Sequence, residues 1–350
     1  MTASVTSSGS SASPPLEPAA DAGSGADQRR GRARRMMVTG FNRTVESLIV
    51  TFIVVTLSFV LVHLVPGDPA RTILGVRASP EKVEALRAAL GLDQPLWRQY
   101  VDFLKDVATG NFGMSVSRPG TSVAELLLPP LGVTMSVVAV TIVLSVVGGS
   151  ISGLTAALTR SGGVSAVLEF LSTAALAAPP FLLGLVMLTL VAVQAGIAPA
   201  GGWGDAWPGH LEYLWLPSLA LTAYLGALVH RSVCTSARDV MRQDFVEAAL
   251  LRGYRPMHVA VRHVLPNSLL PAISVVGLNI GTLVGGAAVI EAVFDLPGIG
   301  TQMVNAVSQR DYPTIQGAAV ITALLVIAGN LIADMLYAVV DPRAGDHGRR

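Results

Sequence analysis

The residue types that carry out catalysis or bind nucleotide are few and scattered along this chain of 350 residues. Its only lysines are Lys82 and Lys105, and neither follows a glycine, so the Gly-Lys-Ser/Thr cradle for nucleotide phosphates is missing. The Gly-x-Ser-x-Gly and His-Glu-x-x-His patterns of hydrolases and zinc enzymes are missing as well. The sequence therefore predicts that the chain is not an enzyme and holds no cofactor. If ATP supplies energy, another subunit must bind it.

The histidines and the cysteine give no further chemistry. His258 and His263 are five residues apart, a spacing that does not place two side chains on one face of an α-helix. We therefore expect no metal site there. The single cysteine, Cys234, cannot form an intrachain disulfide bond.

The composition is typical of a helical membrane protein. Hydrophobic residues make up 51% of the chain and charged residues 13%, about half the charged share of a soluble domain. The formal net charge is only +1, which argues against nucleic acid as a partner. Glycine and proline inside apolar runs fit membrane-spanning helices, where neighbouring helices satisfy the freed backbone groups.

Six uncharged apolar runs are close to, or above, the roughly 20 residues that cross a bilayer. They are 48–65, 131–158, 170–200, 213–229, 269–290 and 314–333. The sequence thus predicts an all-α integral membrane protein with six transmembrane helices and both termini on one side. The segment 231–267 carries six arginines, whereas 198–212 has no lysine or arginine, so the positive-inside rule places both termini in the cytoplasm.

The domain organisation follows from these runs. Residues 1–40 are predicted to be a disordered basic tail, 41–65 the first transmembrane helix and 66–130 a small external domain. Helices two to six occupy 131–343, with a cytoplasmic loop at 231–268, and a cytoplasmic tail follows at 344–350. Inside the external domain, 81–90 is predicted to be an amphipathic helix.

The membrane segments bear on mechanism. No Asp, Glu, Lys or Arg lies inside the five later runs, which weakens the interpretation as an ion-coupled carrier. Gly277, Gly281 and Gly285 form a stripe of small residues whose default role is helix packing, within this chain or against a partner; lining a substrate path is the alternative. Pro179 and Pro180 are expected to kink the third helix.

The cytoplasmic loop carries the strongest pattern. Residues 244–251 are predicted to form a short helix, because they are rich in Ala and Leu and begin with an acid. Arg252 suits the C-terminal end of that helix, and Gly253 suits a left-handed cap. The small Ala248 and Ala249 would let another surface approach closely. A second amphipathic helix is predicted at 256–264.

These residues resemble the EAA loop of ABC importer permeases. The matching positions are Glu247, Ala248, Ala249, Gly253, Leu265 and Pro266. The family's isoleucine position holds His263 here, a departure at a position that varies. Other segments, in order, resemble the oligopeptide/dipeptide permease B type of the peptide and nickel importers. They are 66–69, 91–96, 110–113, 294–300, 310–313 and 334–343.

The resemblance covers about residues 41–343 and implies the type I ABC importer permease fold. It implies that the loop helix docks on a cytoplasmic ATPase subunit. The implied ATPase-coupling residues are Asp244, Glu247, Ala248, Ala249, Arg252 and Gly253. The implied partners are a homologous second permease, two ATPase subunits that hold ATP and Mg²⁺, and an extracytoplasmic solute-binding protein. The implied location is the bacterial inner membrane.

The function implied is translocation of short peptides by an ATP-driven importer. Nickel or another small solute is an alternative within the same architecture, and a stand-alone ion-coupled carrier or a non-transporting receptor are alternatives outside it. The substrate-binding residues are not predicted. For the turn at 297–300, loop geometry and a gating role are both open.

Overall fold

A computed structural model describes residues 49–60, 63–64, 69–74, 78–89, 91–159 and 162–340. The predicted tails, 1–40 and 344–350, lie outside these ranges, as does part of the predicted first transmembrane helix. The described residues are mainly helical, and their β-structure is limited to one isolated bridge between Met114 and Ser122.

The helices follow one another with short connections. In chain order they are α1 (Ile49–Val60), α2 (Pro69–Leu74), α3 (Pro80–Ala89), α4 (Leu96–Thr109), α5 (Val123–Leu158), α6 (Gly162–Ala177), α7 (Pro180–Met187), α8 (His210–Val240), α9 (Asp244–Leu251), α10 (Pro256–Val259), α11 (Leu265–Leu278), α12 (Ile280–Val293), α13 (Ile299–Gln309) and α14 (Tyr312–Val340). Two π-helical turns, Leu188–Gln194 and Ala260–Val264, continue α7 and join α10 to α11.

Four described helices are long and apolar enough to cross a membrane, and a bent pair makes a fifth span. The four are α5, α8, Pro256–Leu278 and Tyr312–Ala333, and the pair is α6 with Pro180–Gln194. The predicted α3 is confirmed within one residue at each end. Of the first predicted span, only 49–60, as α1, and 63–64 fall in the described part of the chain.

The helix that contains the second predicted span begins before that span. The span was predicted at 131–158, and α5 starts at Val123 and runs through Pro129 and Pro130. The start is fixed by a capping box: the Ser122 hydroxyl accepts from the N–H of Glu125, and the Glu125 carboxylate accepts from the N–H of Ser122. The local cap therefore sets the helix start upstream of the two prolines, which were expected to precede it.

The third span is broken rather than kinked. Its two halves meet at an angle of 106°, at Ala178 and Pro179. Pro179 and Pro180 have no N–H, so the carbonyls of Ala175 and Leu176 lose the partners that a continuous helix would supply. Pro180 then occupies the first turn of α7, where a missing N–H costs nothing.

The fifth span, predicted as one helix over 269–290, is divided at Asn279. The N–H of Asn279 bonds to the carbonyl of Val276, so the carbonyl of Val275 loses its usual helical partner. The side-chain amide of Asn279 donates to that carbonyl at 2.8 Å, which satisfies the break. Upstream, Pro266 does not end a helix: the predicted 256–264 helix continues into α11 as one stretch from Pro256 to Leu278.

The glycine stripe packs partly within the chain. A Cβ on Gly277 would lie 2.7 Å from that of Ala333 on α14, and one on Gly281 would lie 3.0 Å from the side chain of Val326. A Cβ on Gly285 would meet nothing within 4 Å. The packing interpretation is therefore confirmed for the first two glycines, while the third faces open space.

The most extensive contact between described helices is that of α5 with α8. A Cβ on Gly149 would lie 2.7 Å from the carbonyl oxygen of Gly226, and one on Gly153 would lie 2.6 Å from that of His230. Ser218 and Thr141 add hydrogen bonds across the same contact, at 3.4 and 3.5 Å. Small residues let the two backbones approach, and this approach holds the two longest described spans together.

We expect Gly149→Ala to destabilise the folded chain by about 1–3 kcal/mol, because the added methyl overpacks against the backbone of α8. The neighbouring Gly148→Ala is the control, since a Cβ there meets nothing within 4 Å. Thermal unfolding in detergent, followed by size-exclusion chromatography, measures the difference. Equal stability of the two variants would contradict the close packing.

Candidate functional site

The loop helix α9 has the predicted bounds, and its end is a complete Schellman motif. Gly253 has φ of +83°, in the left-handed region. Its N–H donates to the carbonyl of Leu250 at 2.9 Å, and the N–H of Tyr254 donates to Ala249 at 3.4 Å. The predicted left-handed glycine is thus confirmed, and it turns the chain from α9 into α10.

The predicted coupling residues divide between the surface and the core. Asp244, Glu247, Ala248 and Arg252 are exposed. Ala249 is only 7% exposed and packs with other buried side chains of the chain itself. Its cluster also contains Leu154, Val240, Val246, Val259, Val264 and Ala272. Ala249 therefore packs α9 onto the helices around it, and its predicted place at a contact with another subunit stays a prediction.

Large apolar side chains are exposed at the end of α9 and just after it. Leu251 is 80% exposed and Met257 is 68% exposed, and Tyr254 between them is half exposed. Sequence reasoning missed these three residues, although each lies within four positions of Gly253. Apolar side chains this exposed, next to four exposed polar and small residues, form a surface suited to a protein partner.

His258 and His263 are closer than their spacing predicted. The π-helical turn Ala260–Val264 has a wider repeat than an α-helix, and it brings the two ring centroids to 6.5 Å. Tyr254 stacks on His258 at 5.5 Å. The expectation that the two histidines lie on different faces was wrong. In the part of the chain that the structure describes, no group of three His, Cys, Asp or Glu residues could hold a metal ion.

A second constellation surrounds Glu291, which ends the apolar run and was predicted to begin an external loop. Its side chain is 0% exposed, in the last turn of α12. One carboxylate oxygen accepts from the N–H of Gly300 at 2.8 Å, so Glu291 holds the first turn of α13. The hydroxyl of Thr134 on α5 accepts from the N–H of Ile299 at 3.1 Å. Three helices thus meet at one turn.

The turn contains glycines because neighbouring atoms leave no room for a Cβ. A Cβ on Gly298 would collide with the Glu291 carboxyl group, and one on Gly300 would collide with the backbone of Ala288. Neither glycine needs a left-handed φ. The loop-geometry interpretation of 297–300 therefore accounts for both glycines, through close approach rather than through backbone freedom.

Asp311 joins the connection between α13 and α14 to the segment before α5. Its carboxylate accepts from the hydroxyls of Ser115 and Ser117, the latter at 2.8 Å, and from the N–H groups of Val116 and Ser117 at 3.1 and 3.2 Å. It also accepts from the N–H of Thr314 at 3.3 Å, in the first turn of α14. Residues almost 200 positions apart are thereby fixed to each other.

Burial by itself raises the pKa of Asp311, but the two serine hydroxyls and two backbone N–H groups outweigh it and hold the pKa below its usual value. Sequence reasoning missed this role, because Asp311 was recognised only within a motif. The two serines that bind it lie almost 200 positions away in the sequence, so no pattern near Asp311 predicts its burial. Glu291 had one: a carboxylate at the end of an apolar run, followed by Pro-Gly-x-Gly.

These features define a multi-pass helical membrane protein of the permease class, with broken spans, a capped surface helix and connections held together by buried carboxylates. Residues 146–346 match the family described as the binding-protein-dependent transport system inner membrane component, and residues 36–143 match its N-terminal region. The chain belongs to this family. The family resemblance predicted from the sequence is confirmed.

Individual proteins agree with this assignment. A protein named as a peptide permease in Brucella suis biovar 1 (strain 1330) is 36% identical over 294 residues, covering 82% of this chain and 92% of that protein. The glutathione transport system permease protein GsiC of Escherichia coli (strain K12) is 35% identical over 294 residues, covering 83% and 93%. The inward-facing MetNI methionine ABC transporter aligns with a TM-score of 0.51 and 18% identity, over 62% of this chain and 96% of that one. This last match confirms the type I permease fold.

We expect Asp311→Ala to speed amide exchange at Val116 and Ser117, because both N–H groups lose their hydrogen-bond acceptor. Leaving such a group unpaired costs about 1–3 kcal/mol of folding free energy. Hydrogen–deuterium exchange with mass spectrometry measures it. Asp205→Ala, at an exposed aspartate, is the control. Because the pKa of Asp311 is lowered, the wild-type protection should persist at neutral pH and disappear only as the pH falls through that lowered pKa. Unchanged exchange in Asp311→Ala would contradict the role of the carboxylate.

We expect Gly253→Val to misplace α9 and lower transport while membrane insertion survives. A β-branched residue at φ of +83° costs about 1–2 kcal/mol, although a Cβ there meets nothing within 4 Å. Gly253→Asn is the matched control, since asparagine tolerates the left-handed region. Uptake and the amount of inserted protein are measured together. Normal uptake by a correctly inserted Gly253→Val chain would refute this reasoning.

Proposed function

We propose that this chain is the membrane-spanning subunit of an ATP-binding-cassette importer that moves short peptides into a bacterial cell. The observation that carries the proposal is the surface at the end of α9, where exposed Glu247 and Ala248 are followed along the chain by large, exposed apolar side chains. A chain without a nucleotide-binding motif needs a partner to use ATP, and this surface is suited to receive one. ATP and Mg²⁺ would be held by that partner.

The coupling residues of this proposal are Asp244, Glu247, Ala248, Arg252 and Gly253, joined by Leu251, Tyr254 and Met257. Ala249 and Val246 would act from the inner side, because they pack α9 onto the chain's own core. A displacement of α9 by the ATPase would then move α8 and α11 with it, since a packed core transmits strain instead of absorbing it. This is the step that re-orients the membrane spans.

The complex we propose contains a homologous second permease, two ATPase subunits and an extracytoplasmic solute-binding protein. Both termini would be cytoplasmic in the bacterial inner membrane, as the arginine distribution supports. The segment tied by Asp311 and the turn held by Glu291 would then face outward, where a binding protein delivers the solute. The names of the relatives support a peptide as that solute, since glutathione is itself a short peptide.

Purification of the tagged chain in mild detergent, with mass spectrometry and an ATPase assay, tests the assembly. Co-purified ATPases, a second permease and ATP hydrolysis are expected. Uptake of labelled di- and oligopeptides by vesicles then tests the substrate, and uptake of nickel or another solute instead would correct it. A chain isolated without any ATPase, under conditions where control ABC assemblies survive, would favour a stand-alone carrier.

We expect Glu247→Arg to weaken association with the ATPase at least several-fold, because it reverses the charge at the centre of the proposed contact. Co-purification at graded salt concentrations measures the loss. Glu84→Arg on α3 makes the same change of net charge outside the loop and serves as the control. Unchanged ATPase recovery with Glu247→Arg would show that the partner does not dock on this face.

A further inference from the structure

The external helix α4 has an apolar strip that no other residue in the described part of the chain covers. No residue of α4 is fully buried, and Trp97 is 64% exposed. Leu96 and Val101 are also exposed large apolar residues, and Ala108 is exposed. Positions 97, 101 and 108 recur at the spacing of one helical face, so the exposed apolar residues form a continuous strip.

The neighbouring face of α4 packs against α1. Phe59 of α1 lies 5.2 Å from the ring of Tyr100 and 5.6 Å from that of Phe103. The Thr56 and Tyr100 hydroxyls are 2.6 Å apart, and His63 lies 3.3 Å from Gln99. These contacts place α4 beside the end of α1 that is external in the proposed orientation.

The helix on which α4 packs exposes apolar side chains of its own. Outside its contact with α4, α1 exposes Phe52, Ile53, Leu57 and Val60. An apolar helix of an integral membrane protein presents such side chains to acyl chains. Since α4 packs on α1, a bilayer that surrounds α1 would also reach α4.

The polar edge of α4 completes an amphipathic pattern. Arg98, Asp102, Lys105 and Thr109 are exposed beside the strip, on the side that does not pack on α1, and Lys105 pairs with Asp102 at 2.9 Å. Arg98 also lies 5.4 Å from the Trp97 ring. The charges on α4 balance, with Asp106 as the second acid, so attraction to anionic lipid is not the driving force.

We propose that α4 docks on the outer leaflet of the bilayer, with Leu96, Trp97, Val101 and Ala108 inserted at the boundary between headgroups and acyl chains. Helices with one apolar and one polar face lie in this plane, and tryptophan and tyrosine favour it. The inference rests on the proposed orientation of the chain. It assigns the external domain a second attachment, to lipid, besides the hydrogen bonds of Asp311.

Spin labels test this orientation in the assembled transporter, reconstituted in phosphatidylcholine vesicles. The only cysteine, buried Cys234, is replaced by alanine, and single cysteines are introduced as V101C, A108C, D102C or T109C. Collision with oxygen, which concentrates in lipid, is compared with collision with water-soluble nickel-EDDA. We expect the oxygen-to-nickel ratio at positions 101 and 108 to exceed that at 102 and 109 several-fold.

Each other outcome overturns the proposal. Ready collision with nickel at 101 and 108 would show that the strip faces water. Shielding from both reagents at 101 and 108 would show that a protein surface, such as the second permease, covers it. ATP hydrolysis and peptide uptake by the same labelled complexes report separately on the proposed function, because α4 has no part in the coupling surface.

A second measurement avoids the introduced cysteines. Phosphatidylcholine brominated on its acyl chains quenches tryptophans that touch it, and the conservative Trp97→Phe should reduce the quenchable share of the emission. The result should be the same when phosphatidylglycerol is added, because the charges on α4 balance. An unchanged quenchable share in Trp97→Phe would also refute the docking of α4 on lipid.

Discussion

The fold depends on the requirement that every backbone N–H and C=O in the hydrocarbon be bonded within the protein. Helices meet most of it by themselves, and α5 and α8 stay continuous although they contain Pro129, Pro130 and Pro217. Each break has to be satisfied locally. At Asn279 a side-chain amide takes the place of the missing backbone donor, and at Pro179 and Pro180 the second half of the span starts anew. Irregular backbone at these depths belongs where it lines a cavity or is buried in protein.

Two clusters at opposite ends of α5 organise the rest. Leu154, near its C-terminal end, packs in the core that contains Val246 and Ala249 of α9. Val123 and Leu127, at its N-terminal end, pack with Ile299 of α13. A helix of 36 residues spans about 54 Å at 1.5 Å per residue, so one rigid element connects the loop helix to the turn held by Glu291.

The sequence allowed prediction where local signals decide the structure. The bounds of α9 and the left-handed Gly253 follow from an acid, a run of Ala and Leu, and a glycine within ten residues. Prediction failed where the hydrogen-bond partner that decides the structure is distant in the sequence, or where a run of apolar residues has no feature that marks a break. The run 269–290 has no charge to mark the break at Asn279, and the bonds from Ser115 and Ser117 to Asp311 join segments that no local rule connects. His258 and His263 were misplaced because a π-turn changes the helical repeat.

The same reasoning separates the two sides of the EAA residues. The family resemblance implies that the motif is a single contact surface, but the helical repeat places its residues on two sides. Ala249 and Val246 face the core, whereas Glu247 and Ala248 face outward. A docking helix needs both sides, because a partner can move the membrane spans only if the helix it grips is itself packed on them. In the proposed complex, Ala249 would connect α9 to the chain's own core, and Ala248 would allow close approach by the partner.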